Sequence, residues 1–248
     1  MENTILGIDV GGTNTKGAIV DLNNGKLLTK KIKIPTPDGA SPKGITRVAQ
    51  EIVESLDYKG DHVGLGFPSI IRNGICRSNS NISKKWMGTN LNDHFSKKFG
   101  IKTHCINDAD AAGIAESHYG NAKGAMGTVI LLTIGTGIGS ALFYDGTLIP
   151  NTEFGRLHYN KGILERYASN KVRKDLDLDL EEWAKRLNEV LQHIEFIFSP
   201  NLIILGGGIS QQLEAYQHIL KTETKIIPAD FRNNAGIVGA AKFGSFFM

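Results

Sequence analysis

The chain has 248 residues, of which 41% are hydrophobic and 21% charged, with a formal net charge of +3. This composition supplies a buried core and excludes a disordered chain. The absence of an eighteen-residue apolar run excludes a membrane span, and Met1-Glu-Asn-Thr lacks the basic and apolar regions of a signal peptide.

Two cysteines, Cys76 and Cys105, make no disulfide framework and have no metal-binding spacing, so a cytoplasmic setting is expected. The mild charge and the lack of a reading module argue against a nucleic-acid partner, and no membrane partner is expected. Lysines cluster at Lys30, Lys31 and Lys33, at Lys84 and Lys85, and at Lys97, Lys98 and Lys102. Such runs are ordinarily solvated surface, and polyanion contact is their other reading. Glycine is in excess, 29 residues in all, against about 7% in an average chain. Its clustering points to tight turns or to backbone lying close to a ligand.

In chain order, Ile5–Val10 is a strand ending in Gly11-Gly12-Thr13, Lys16–Asp21 a second strand, and a third runs through Ile34 after the turn Asn23-Asn24-Gly25. Ile45, Val48, Ile52, Val53 and Leu56 form a helical stripe, and 62–66 reads as the next strand. Ile101–Ile106 is a strand feeding a helix that begins near Asn107-Asp108. At an offset of 124 the opening pattern returns: Val129–Ile134 ends in Gly135-Thr136-Gly137, a strand runs through Ser140–Asp145, and a turn follows at Gly146.

Asp179 with Glu182 predicts a capping box. The helix behind it carries Trp183, Leu187, Val190, Leu191, Ile194, Ile197 and Phe198 on one face and stops at Ser199-Pro200. A strand over 201–205, the triplet Gly206-Gly207-Gly208 and another helix complete the second half. The period is far longer than that of a solenoid, so it predicts two similar α/β lobes flanking a cleft. The expected division is 1–107, joined by a terminal helix over about 235–248, and 108–234.

Three glycine-rich turns are candidate phosphate cradles. In the first, Asp9 through Lys16, the turn's backbone N–H groups can hold phosphate oxygens because Gly11 and Gly12 carry no Cβ to block approach, and Thr13 adds a hydroxyl. Asp9 is placed to hold Mg²⁺ through water, and Lys16 to offset phosphate charge. The spacing is not that of a P-loop, and an ordinary hairpin turn capped by Asp9 is the other reading. The second, Thr133 with Gly135, Thr136 and Gly137, opens another strand instead of a helix, which disfavours a Rossmann site. The third, Gly206-Gly207-Gly208, is explained as well by close strand-to-helix packing. Phosphoryl transfer to an alcohol also needs a base. Asp108 and Asp110 supply two carboxylates at a helix start, and the residues alone do not choose between them.

Taken together, these segments resemble the ROK family (repressor, open reading frame, kinase), and most closely its polyphosphate glucokinase branch. The resemblance rests on Asp9–Lys16, Gly66-Phe-Pro68, Asn107–Ala112, Gly135–Ser140, Pro150–Gly155, Leu205–Gly208 and Asn234–Gly239, seven weak motifs in the family's order. It implies an actin-like, ribonuclease H-like ATPase fold and a kinase that transfers phosphate from polyphosphate or ATP to the 6-hydroxyl of glucose or a related hexose. It implies Asp108 as catalytic base and Asn81, Asn107 and Glu153 on the sugar. The two glycine turns match the phosphate motifs, and Gly207 with Gly208 the nucleotide side. Relatives imply a homodimer.

Three departures follow. The cysteine-rich zinc loop of many family members is missing, so no structural zinc is expected. No helix-turn-helix precedes Ile5, which disfavours the repressor form. Where the branch reads Glu-Leu-Gly-His-Leu-Glu, this chain reads Glu153-Phe-Gly-Arg156-Leu-His158. Arg156 and His158 thus stand at sugar-facing positions. They leave two alternatives open: a kinase for another acceptor, and a sugar-binding sensor without turnover.

Overall fold

The computed structural model describes residues 3–79, 82–160 and 162–248. The chain divides into two compact units, Met1–Ala115 with Asn234–Met248, and Glu116–Asn233.

The first unit opens with β1 (Thr4–Val10), β2 (Asn14–Asp21), β3 (Ile32–Pro35), α1 (Pro42–Ser55) and β4 (His62–Phe67). A short hairpin, β5 (Ile71–Arg72) and β6 (Ile75–Cys76), leads to α2 (Leu91–Phe99), β7 (Lys102–Asn107) and α3 (Asp108–His118). The sheet order is β3-β2-β1-β4-β7, with β1 to β3 antiparallel and β1, β4 and β7 parallel. Because helices cover both faces, β1 and β4 are almost wholly buried. Ser41 caps α1 by accepting from the Gly44 N–H, and Pro42 stands at its start. The helix buries Ile45, Val48, Ala49, Ile52 and Val53 against the sheet, beside Trp86 and Phe95.

The second unit contains β8 (Thr128–Ile134), β9 (Ile138–Tyr144), β10 (Thr147–Ile149), the two-residue pair β11 (His158–Tyr159) and β12 (Gly162–Ile163), α4 (Leu164–Ala168) and α5 (Asn170–Asp175). After these come α6 (Leu180–Phe198), β13 (Leu202–Gly206), α7 (Leu213–Tyr216) and β14 (Lys225–Pro228). The order β10-β9-β8-β13-β14 repeats the topology of the first sheet. The capping box of Asp179 and Glu182 is formed. The α6 stripe buries Trp183, Leu187, Val190, Leu191 and Ile194, whereas Ile197 is 46% exposed, off the buried face.

The final helix, α8 (Ala235–Ser245), belongs to the first unit and lies on the face of its sheet opposite α1. The approach is close enough to dictate glycine. A Cβ on Gly7 would run into the Ile237 carbonyl, one on Gly64 into the Ala240 carbonyl, and one on Gly239 into the Ala111 carbonyl. Part of the glycine excess therefore serves helix-on-sheet packing, a use that composition does not separate from turns and ligand approach.

Three details depart from the sequence reading. The division falls inside α3, between Ala115 and Glu116, because Ala111 packs on Gly66 and Gly239 of the first unit. The helix after Gly206-Gly207-Gly208 is a 3₁₀ turn, Gly208–Gln212, followed by the four-residue α7. The internal repeat slips by one residue in pairing: Val10 pairs with Thr15, but Ile134 pairs with Ile138. The second glycine turn is thus one residue shorter, and Asp145 lies past the end of β9. There it takes a positive φ of 47° and accepts from the Gly127 N–H at 2.7 Å.

Candidate active site

In the first unit, the chemistry gathers at the C-terminal ends of the parallel strands, where open α/β sheets bind ligands. Asp9 is the penultimate residue of β1, faces Gly66 of β4 across the sheet, and pairs with Lys16 of β2. Lys16 Nζ lies 3.1 Å from Asp9 Oδ2, and both side chains stay partly exposed. The N-terminal turn of α8 closes over this carboxylate: a Cβ on Gly236 would sit 2.6 Å from Asp9 Cγ. The helix dipole and backbone N–H groups there favour negative charge.

The Gly11–Asn14 turn is braced from β3's end. Gly11 N donates to Asn14 O at 3.1 Å, Thr36 Oγ1 donates to Gly11 O at 2.6 Å, and Thr36 N donates to Thr13 O at 3.0 Å. Gly12 and Thr13 are left exposed at its tip.

Asn107 and Asp108 stand where β7 becomes α3. Asn107 is buried and caps the helix, its Oδ1 accepting from Ala109 N at 2.9 Å and Asp110 N at 3.0 Å. Its Nδ2 donates to Ser69 O at 3.1 Å, and Ser69 Oγ donates to Ser78 O at 2.8 Å. Asn107 is therefore tied to the segment that leads toward Asn81, which itself lies outside the described residues. Asp108 is half-buried and Asp110 is 1% exposed, so Asp108 is the more open of the two carboxylates. Asp108 also lies beside Gly66, with its Cα 3.8 Å from where a Gly66 Cβ would stand. Gly66 thus lies next to both Asp9, its partner across the sheet, and Asp108, which packs on it.

In the second unit, the Gly135–Gly137 turn follows β8. Gly135 N donates to Gly137 O at 3.0 Å, and Gly135 O accepts from Lys171 N at 3.1 Å. Thr136 is exposed at its tip, while Thr133 is half-buried at the strand end. Gly207, at φ 85°, presses against the Ile134 carbonyl, a place that no side chain fits, and Gly208 beside it is exposed. Glu165, which carried no signal in the sequence, sets its carboxylate against this turn. Its Oε2 lies 3.5 Å from Ile138 N and fills the space over Gly137.

The 152–156 segment is held to β9. Ser140 Oγ donates to Thr152 O and accepts from Phe154 N, both at 2.9 Å, and Gly155 packs on the Ile138 carbonyl. Phe154 is buried and stacks on Phe198. Glu153 is thereby presented from a fixed backbone. Arg156 Nε lies 3.2 Å from Glu153 Oε2. Burial pushes the Glu153 carboxyl above its usual range; Arg156 opposes this and Glu165 adds to it. His158 is exposed on β11. Among the described residues no group of three or more His, Cys, Asp and Glu is placed to hold a metal ion.

Two sheets of one topology, each with a glycine turn at the end of its first strand, define the actin-like, ribonuclease H-like class of two-lobed α/β proteins. A family model described as ROK family matches residues 5–155. The polyphosphate glucokinase of Mycobacterium tuberculosis is 43% identical over 95% of this chain and 89% of its own length. The glucokinase of Thermotoga maritima is 32% identical over 96% of each. Among solved structures, the inorganic polyphosphate/ATP-glucomannokinase of Arthrobacter sp. strain KM superimposes with a TM-score of 0.96 at 41% identity, covering all of both chains. The chain belongs to the ROK family.

Proposed function

We propose that this chain is a sugar kinase that transfers a phosphoryl group from polyphosphate or ATP to the 6-hydroxyl of glucose or a related hexose. The observation that carries the reading is the placement of Asp9, paired with Lys16, and Asp108 at one end of a single sheet, on either side of Gly66. The names of the relatives, polyphosphate glucokinase and polyphosphate/ATP-glucomannokinase, support the same donors and acceptors.

In this reading the turn Gly11, Gly12 and Thr13 and the turn Gly135, Thr136 and Gly137, with Thr133, bind phosphate oxygens at their tips, where Gly12, Thr13 and Thr136 are exposed. Gly207 and Gly208 lie on the nucleotide side. Lys16 balances charge on the transferred group. Asn81, Asn107 and Glu153 orient the sugar. Asp108 takes the hydroxyl proton as the sugar oxygen bonds to phosphorus and the bridging P–O bond to the donor breaks.

Mg²⁺ fits the donor set at Asp9, a partly exposed carboxylate beside a phosphate turn, with water completing the shell. When bound, it neutralises charge on the donor phosphates. The reading includes a cytoplasmic homodimer, which family resemblance supports and sedimentation tests.

A second reading changes the acceptor. The ion pair between Arg156 and Glu153 favours it, because a guanidinium occupies one oxygen of the sugar-facing carboxylate. Phosphorylation of glucose and mannose with Mg²⁺, run in parallel with polyphosphate and ATP, tests both readings. Product from either sugar supports the first. No product from either, with product from an anionic or amino sugar, establishes the second.

A further inference from the structure

One face of the first sheet carries an unusual row of charge. Asp9 on β1 stands directly opposite Lys16 on β2, and Lys16 stands directly opposite Lys33 on β3. Lys31, two residues before Lys33, projects from the same face, and its Nζ donates to Asn234 Oδ1 at 2.7 Å. Like charges directly opposed across a ladder repel each other. The charges acting on Lys31 are those of Lys16, Lys33 and Asp9, two ammonium groups against one carboxylate. Burial and then the two lysines lower the Lys31 pKa. The N-terminus of the eleven-residue α8 adds positive potential at the same place: Asn234 turns its oxygen to Lys31, and the helix has no side-chain cap. A folded protein that crowds cations in this way is stabilised by a bound polyanion.

We propose that Lys31 and Lys33 bind the trailing phosphates of a polyphosphate donor, so that the β3 edge sets the preference for a polymeric over a nucleotide donor. The row leads outward from the Asp9–Lys16 pair to Lys33 at the sheet edge, a reach of about two strand spacings, or 10 Å. A chain of repeating anions follows such a row, whereas the three phosphates of a nucleotide end in an uncharged ribose. This inference rests on the kinase reading for its donor; the cation row itself does not.

The test compares the wild type with Lys31→Gln, Lys33→Gln and the double variant. Gln at 31 keeps a donor for Asn234, and Gln at 33 relieves repulsion with Lys16, so the melting temperature should hold or rise. Long-chain polyphosphate is titrated onto the sugar-free protein by calorimetry at several salt concentrations, and KM is measured for polyphosphate and for ATP. The expected result is a loss of about tenfold in polyphosphate affinity per lysine, with a shallower salt dependence. The KM for ATP should rise less than about threefold. Unchanged polyphosphate binding, or equal losses for both donors, overturns the proposal. A wild type that transfers from neither donor defeats the kinase reading, while the titration still decides whether the lysines hold polyphosphate.

Discussion

Gly236 of α8 meets the Asp9 carboxylate so closely that a Cβ there would lie 2.6 Å from Asp9 Cγ and 2.9 Å from each oxygen. The obstruction is the mobile end of a side chain, so Gly236→Ala displaces the carboxylate and leaves the helix in place. The expected outcome is a melting temperature within a few degrees of wild type and a fall in kcat of about tenfold or more. Gly64→Ala meets the Ala240 backbone instead, which has nowhere to go, and should cost roughly 3 kcal/mol in stability. Denaturant titration with steady-state kinetics separates the two. Equal effects on stability would refute the distinction.

Asp108 and Asp110 differ in what surrounds them. Asp108→Asn should lower kcat by about 10²–10⁴ with little change in sugar KM or stability, because the group is partly open. Asp110→Asn, at a buried site, should act on the melting temperature more than on kcat. Retained turnover in Asp108→Asn would remove it as the base.

The Glu153 carboxyl is raised by burial, lowered by Arg156 and raised again by Glu165. If the ionised form accepts a sugar hydroxyl, kcat/KM rises with pH as Glu153 loses its proton. Arg156→Met removes the cation and should move that limb to higher pH. Glu165→Gln removes a like charge and should move it to lower pH. Shifts in the same direction for both variants would exclude Glu153 as the titrating group.

Arg156→His restores the residue of the related branch and should raise kcat/KM for glucose relative to anionic sugars. No change in that ratio would show that Arg156 does not select the acceptor.

Glu116 is fully buried, with Oε1 accepting from Phe231 N at 2.9 Å and Oε2 from Asn121 N at 3.1 Å. Burial raises its pKa above the ordinary 4.5, against the pull of these N–H groups. The folded state therefore holds the proton more tightly than the unfolded chain. The resulting stabilisation is full below the ordinary value of 4.5 and is lost as pH rises through the raised value. Glu116→Gln cannot titrate, so the stability difference between wild type and variant should be greatest in acid and shrink toward neutrality. A difference that does not vary with pH would contradict this.

The elements that stand out in the sequence do so through local rules. Asp179 and Glu182 announce a capping box because that motif is closed by backbone three residues away. The duplicated strand–glycine–strand pattern predicts two sheets of one topology because a glycine turn and the length of the flanking strands fix a hairpin. The family motifs likewise place Asp9, Lys16 and Asp108 in order along the chain.

What tertiary structure alone decides is distance between residues far apart in sequence. Gly236 belongs to a motif visible in the chain, but its contact with Asp9 exists only because α8 returns to β1 across more than two hundred residues. Glu165 has no local signature, since packing alone brings its carboxylate to Gly137. The lysine runs look alike as sequence. The pairing of β2 with β3 sets Lys33 opposite Lys16 and makes one of them a row of charge, because a ladder register is a relation between strands and no single strand contains it.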